Sequence, residues 1–248
     1  QISEYIISPI LKLSFLTKLL IVMRFISATH ARSRVRTIAR PYPPQGHRVN
    51  ISLVNPPRPL ILASNSSYRA ELLRRLGLQF TQAAANIDEA ALAGETPPQL
   101  ALRLARQKAA KLAERFPGAT IIGSDQVASV ADTILGKPLT AQAAARQLRR
   151  CSGSQVRFFT AVSVTNPPPL TEQHHIDETL VEFRKLGDAE IDRYIANEPA
   201  LDCAGGFKAE ALGISLFDEI ASRDPTGLIG LPLIWLSRAL RNSGFALP

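Results

Sequence analysis

Three short stretches of this chain carry residue types that could act on an anion. In LASNSSYR, residues 62–69, an apolar run ends in a hydroxyl-rich loop leading into a helix-like pattern. A helix N-terminus offers unpaired backbone N–H groups and the positive end of a dipole to an anion. Arg69 adds a guanidinium that can grip two phosphate oxygens at once. Ser and Asn in such a loop also serve as plain helix caps, so the stretch alone does not make a site. In IIGSDQV, residues 121–127, the carboxylate Asp125 follows an apolar run, as expected of a group held at a strand end to bind metal or activate water. Alone, it reads equally as a turn residue. In GKP, residues 136–138, a compact turn fixes Lys137; its ammonium could be aimed at a phosphate, although most loop lysines are merely solvated. His174 and His175 have no carboxylate or third ligand at suitable spacing, so a solvated loop is the expectation there. No Walker loop, Gly-x-Ser-x-Gly elbow or Gly-x-Gly-x-x-Gly is present.

The elements that must position these residues alternate. LILAS reads as a buried strand and SYRAELLRRLGL as a helix, capped by Ser66 or Ser67 and stopped at Gly77. A second helix runs from about Pro97 to Phe116, with Leu100 and Leu104 on one face and Arg103, Arg106 and Lys108 assigned to the polar one. ATIIGSD is a short buried strand ending in a polar turn, VASVADTILGKP a hairpin and TAQAAARQLRRCSG a helix. QVRFFTAVSVT and ETLVEFRKL are strands, followed by a helix over Asp188 to Asn197 and the Gly-rich CAGGFKAEALG. ISLFDEI is a strand, and a closing helix spans about Leu231 to Arg241. Strands and helices in mixed order predict an α/β fold with a mixed sheet.

Of 29 Lys and Arg and 21 Asp and Glu in the 248 residues, residues 1–58 hold nine basic residues and one acid, Glu4; twenty of each sign remain in residues 59–248. A neutral body lacks the broad basic footprint of a nucleic-acid binder. The stretch Tyr5 to Ala28 is apolar but broken by Lys12, Lys18 and Arg24, short of an uninterrupted span of about 18 residues, so no stable membrane association is expected. An Arg-rich piece and a Pro-rich linker follow. Residues 1–58 are read as a basic, disordered extension, either a targeting segment or an over-extended start, and residues 59–248 as the folded domain. Cys151 and Cys203 stand far apart in no CxxC pair, which fits a reducing, cytoplasmic setting.

Taken in order, LILASNSSYRAELLRRLGLQF, NIDEA, RLARQKA, IIGSDQVA, ILGKPLT, SGSQVRFFTAVSV, LDCAGGFKAEALGISLF and DPTGLIGLPL resemble the Maf family, named for septum formation, from about Pro59 to Phe245. The resemblance implies an elongated mixed sheet flanked by helices, two lobes with a cleft, and a commonly dimeric protein. It implies hydrolysis of a nucleoside triphosphate to monophosphate and diphosphate with a divalent metal, Mg²⁺ or Mn²⁺. Asp125 matches the family's general base. By the same carry-over Ser64 and Arg69 hold phosphate, Glu89 and Asp125 place metal, and Lys108 and Lys137 neutralise the leaving pyrophosphate.

LDCAGGFKAEALGI with SDQVA is closest to the branch acting on 7-methyl-GTP, where substrate choice tracks the positions of Tyr68, Gln126 and Glu210. A 7-methylguanine ring is cationic and suits an aromatic face and a carboxylate. Ala70 replaces an Arg common at that position, Tyr68 a Trp, and Ala209 and Ala211 stand where Ser and Gly are more usual. The lost guanidinium at position 70 would weaken phosphate binding. Two alternatives stay open: a dTTP or UTP pyrophosphatase of the same family, and a nucleotide-binding regulator of septum formation with little turnover.

Overall fold

The computed structural model describes residues 58–248 apart from Asp132, Leu170 and Thr171. The anchor, targeting-segment and over-extension readings of residues 1–57 lie outside the described residues. Among the described residues, no helix is long and apolar enough to cross a membrane.

The strands are β1 (Leu60–Leu62), β2 (Thr81–Gln82), β3 (Thr120–Val130), β4 (Thr133–Leu135), β5 (Gln155–Thr165), β6 (Gln173–Phe183) and β7 (Phe217–Ser222). The helices are α1 (Ser67–Arg74), α2 (Pro97–Arg115), α3 (Ala141–Cys151), α4 (Asp188–Asn197) and α5 (Leu233–Asn242). One mixed sheet runs β2-β1-β3-β5-β6-β7, with β4 also paired to β3. β1 is parallel to β2 and β3, and the remaining pairings are antiparallel. The α/β expectation is met.

Strand alternation sorts β3 onto two faces. Ile121 and Val127 pack with Leu100, Leu104, Ala109 and Leu112 of α2, whereas Ile122 packs with Leu72 and Leu73 of α1 and Leu236 and Leu240 of α5. A third body of core, beyond the β4 end, gathers Leu148 of α3, Ile191 and Tyr194 of α4, and Phe207. Phe207 meets Phe158, Phe183 and Phe217 edge-on at centroid distances of 5.5, 5.2 and 5.0 Å, the arrangement aromatic quadrupoles favour.

Several sequence expectations shift. Asp125 does not end a strand; β3 continues five residues past it to Val130. The polar residues that suggested a turn are satisfied inside the sheet: the Ser124 hydroxyl lies 2.9 Å from the Ala161 carbonyl oxygen and 3.1 Å from that of Gly230. His174 and His175 lie in β6 rather than a loop, and His175 stacks on Trp235 at 5.4 Å. ISLFDEI splits into a 3-10 turn over Leu212–Leu216 and β7. Ser66, not Ser67, caps α1, accepting from the Arg69 N–H at 3.3 Å.

Lys108 leaves the polar face assigned to it. It is only 8% exposed and points at the sheet. Leu100, Leu104 and Lys108 are four residues apart, so one helical stripe carries all three. That stripe can reach the strand because of Gly123. A Cβ there would overlap the Ala105 carbonyl oxygen and come within 2.8 Å of the Ala109 nitrogen. The helix backbone therefore rests on bare strand backbone one turn from Lys108.

Gly123→Ala is expected to lower stability by about 1–3 kcal/mol, the usual cost of overpacking, seen as a reduced Tm. An unchanged Tm would show that α2 is not seated on β3 in this way.

Candidate active site

β3 has a gap along one edge. Its residues 120–122 pair with β1 and its residues 128–130 with β4, while along 123–127 no strand among the described residues covers that side. The other edge is paired with β5 throughout 121–130. An uncovered edge gives a ligand access to side chains from both faces of one strand. A cavity of about 560 Å³ opens there, within the range of small-molecule sites.

One wall is the loop between β1 and α1. The Ser64 hydroxyl accepts from the Ser66 N–H at 3.1 Å and the Arg69 Nη1 at 3.4 Å. The Arg69 Nε donates to the Gly230 carbonyl at 3.0 Å. Gln82 Nε2 closes the loop from behind, 3.1 and 3.3 Å from the Ser64 and Ser66 carbonyl oxygens.

A second wall is the segment after β2. Asn86, with φ of 46°, takes the left-handed conformation that Asn tolerates, and the chain brings Glu89 to Lys108. The Lys108 Nζ sits 2.6 Å from Glu89 Oε1 and 2.6 Å from Asp125 Oδ1. Lys108 and Asp125 are nearly buried, while the Glu89 side chain is 55% exposed. Asp125 lies behind Lys108 rather than on the cavity wall.

Gln126 enters from the opposite face. Its Nε2 lies 2.9 Å from Thr160 Oγ1, 3.1 Å from the Gly227 carbonyl and 2.9 Å from that of Leu228, so its amide protons hold the 227–230 turn. Tyr68, Lys137 and Glu210 also line the cavity, with the Lys208 ammonium 5.8 Å from the Tyr68 ring centroid. The structure thus gathers Ser64, Tyr68, Arg69, Glu89, Lys108, Gln126, Lys137 and Glu210 around one cavity, with Asp125 one contact deeper.

The Maf-like protein family model matches residues 59–243. The chain belongs to the Maf-like protein family. It is similar to a protein of Xanthomonas campestris pv. campestris (strain 8004) named 7-methyl-GTP pyrophosphatase, 57% identical over 189 residues, covering 76% of this chain and 98% of that one. Proteins of the same name from Saccharophagus degradans and Pseudomonas putida are each 50% identical, covering 75% and 77% of this chain and 94% and 99% of theirs.

In this Maf-like chain the charged residues of the site act on one another. Burial works to raise the Glu89 carboxyl, but Lys108, Lys137 and Arg69 outweigh it and hold it below the ordinary carboxylate range. Burial pushes the Arg69 guanidinium down, with Asp125 and Glu89 pulling it back up. Glu89 and Asp125 each place a carboxylate oxygen 2.6 Å from the Lys108 ammonium. Hard oxygens without sulfur or imidazole suit Mg²⁺ or Mn²⁺, which complete their shells with water and phosphate oxygens. Among the described residues no group of three or more His, Cys, Asp or Glu could hold a metal ion.

Sequence reasoning missed wall residues Asn65, Asn86, Asp202, Phe207 and Lys208. Of these, Lys208 carried a signal, standing two residues before Glu210 within a motif already singled out. Ala70 is fully buried among Leu62, Leu72 and Leu236 and does not line the cavity, so it contributes nothing to the phosphate wall. Ala211 has a negative φ of −135° and so does not sit in the left-handed region that favours glycine.

Asp177 of β6 braces the site from below. Its Oδ2 is buried without a hydrogen-bond partner among the described residues and lies against Gly227. Burial, with Asp224 adding repulsion, pushes its carboxyl up to about 6. The fold therefore favours the protonated form. Below an unfolded-state value near 4 both states hold the proton. From there to about pH 6 the unfolded chain ionises while the folded one resists, so stability falls across that window and stays lower above it, by roughly 2–3 kcal/mol at most. Asp177→Asn is expected to flatten the Tm profile between pH 4 and 6.5 and to raise Tm at pH 8. A wild-type profile already flat there would remove this assignment.

Proposed function

We propose that this chain is a metal-dependent nucleoside triphosphate pyrophosphatase that converts 7-methyl-GTP and water to 7-methyl-GMP and diphosphate, a house-cleaning reaction on a modified nucleotide. The observation that carries the reaction class is the Glu89–Lys108–Asp125 cluster beside Arg69 at the uncovered edge of β3. The relatives' shared name over nearly their whole lengths supports the substrate. The cytoplasmic setting and the homodimer implied by family resemblance belong to the same reading, as does action on a free nucleotide rather than on nucleic acid or a membrane.

In this reading Ser64, the N-terminus of α1 and Arg69 hold the phosphates. Asp125 takes a proton from water as its oxygen attacks the α phosphorus. The bond from that phosphorus to the bridging oxygen breaks, and its electron pair leaves with the pyrophosphate. Lys108 and Lys137 meet the charge that develops on the leaving group. A hard divalent ion, held by Glu89 and Asp125 when bound, would supply further positive charge to the phosphate oxygens. Tyr68 would offer its ring to the cationic base, Glu210 would accept from the guanine N1 and N2 protons, and Gln126 would set the base end through the 227–230 turn.

Pyrophosphate release by the full chain with Mg²⁺ or Mn²⁺ should favour 7-methyl-GTP over GTP, dTTP, UTP and CTP, and should stop with a chelator and return with the metal. Preference for dTTP or UTP would move the chain to another branch, and no release from any would favour a binding protein. Asp125→Asn should lower kcat by about 10²–10⁴-fold in protein that is still folded, with a reduced Tm because Lys108 loses its buried partner. Near-normal turnover in that variant would rule out Asp125 as the base.

A further inference from the structure

The base end of the cavity holds a cation that the proposed mechanism leaves unused. Lys208 lines the wall with its Nζ 5.8 Å from the Tyr68 ring centroid, and Glu210, two residues on, lines the same wall. The segment bearing both is held at its start. Phe207 is locked among Phe158, Phe183 and Phe217. The Lys208 N–H donates to the Tyr194 hydroxyl at 3.1 Å, and Tyr194 is 3% exposed. That hydroxyl donates in turn to Glu198 Oε2 at 3.3 Å, and the same oxygen accepts from the Gly213 N–H at 3.1 Å. Tyr194 of α4 and Glu198, which caps that helix, thus fasten both ends of residues 208–213.

We infer that Lys208 is a specificity residue that donates to the 6-oxo oxygen of a guanine base, paired with Glu210 as acceptor for the N1 and N2 protons. Guanine presents one acceptor and two donors along its pairing edge, and adenine presents a donor and an acceptor in the reverse order. An ammonium and a carboxylate on the same wall therefore complement guanine and oppose adenine. Net charge favours a methylated base as well: Asp202 and Glu210 set two negative charges on this part of the wall against the single positive charge of Lys208. This inference rests on the guanine-nucleotide reading of the site.

The test uses the full chain with its metal and measures kcat/KM for GTP, for ITP, which lacks only the 2-amino group, and for 2-aminopurine riboside triphosphate, which lacks the 6-oxo group and the N1 proton. In Lys208→Met the preference for GTP over the 2-aminopurine nucleotide should fall roughly ten- to a hundredfold, the worth of a hydrogen bond to a charged donor. The preference for GTP over ITP should stay within about twofold. Lys208→Arg should retain most of the first preference, and Glu210→Gln should reduce the second. An unchanged GTP to 2-aminopurine ratio in a folded Lys208→Met protein overturns the inference while leaving the pyrophosphatase reading intact. Equal falls in both ratios overturn it too, because they mark Lys208 as a prop for the segment. A wild-type chain that releases no pyrophosphate from any guanine nucleotide, 7-methyl-GTP included, removes the reading and this inference together.

Discussion

The site depends on a lysine driven into a sheet. Lys108 reaches Asp125 only because Gly123 has no side chain, which lets the backbone of α2 lie on that of β3. Burying an ammonium is unfavourable unless it is paired, and here two carboxylates flank it at 2.6 Å. Removing either buried partner would strand a charge, so the cluster and the helix seat stabilise one another. Glu89 comes from a segment without regular secondary structure, and the attraction of Lys108, Lys137 and Arg69 is what opposes the cost of its partial burial.

The gap in the sheet makes the cluster accessible. β1 is three residues long and β4 pairs only with residues 128–130 of β3, so the middle of that strand is left open on one side. Alternation then delivers Asp125 to the α2 face and Ser124 and Gln126 to the α1 and α5 face of the same opening. A ligand lying across this edge meets acid and cation from one side, and from the other a turn held by Ser124, Gln126 and Thr160 through the carbonyls of Gly227, Leu228 and Gly230. The same turn orients Arg69 through Gly230. Phosphate grip and base end are therefore joined by a single loop, and Asp177 lies directly beneath it.

The charged groups of the cavity come from several elements: Arg69 from α1, Lys108 from α2, Lys137 from the turn after β4, and Asp202, Lys208 and Glu210 from the segment fastened through Tyr194. Lys108, Lys137 and Arg69 all act on the Glu89 carboxylate. The neutral total charge of residues 59–248 does not show this gathering of charge.

Much of this was legible in the residues themselves. Hydrophobic periodicity marks the strands and helices, Ser66 and Gly77 bracket α1, and the order of motifs carries the family resemblance, because local patterning and short-range capping are encoded over a few residues. What tertiary structure decided lies where distant segments meet. Asp125 looked like a strand end because Ser124 and Gln126 are polar, and only their partners at Ala161, Thr160 and the 227–230 turn show why they sit inside a sheet. Ala70 stands in the phosphate-loop motif, and its helical phase turns its methyl group into the core. Lys108 stood in the apolar i,i+4 series of Leu100 and Leu104 all along; its charge argued for solvent until two carboxylates, 17 and 19 residues away in opposite directions along the chain, came within 2.6 Å of it. Sequence determines which groups can pair, and the close approach of helix to strand decides which of them do.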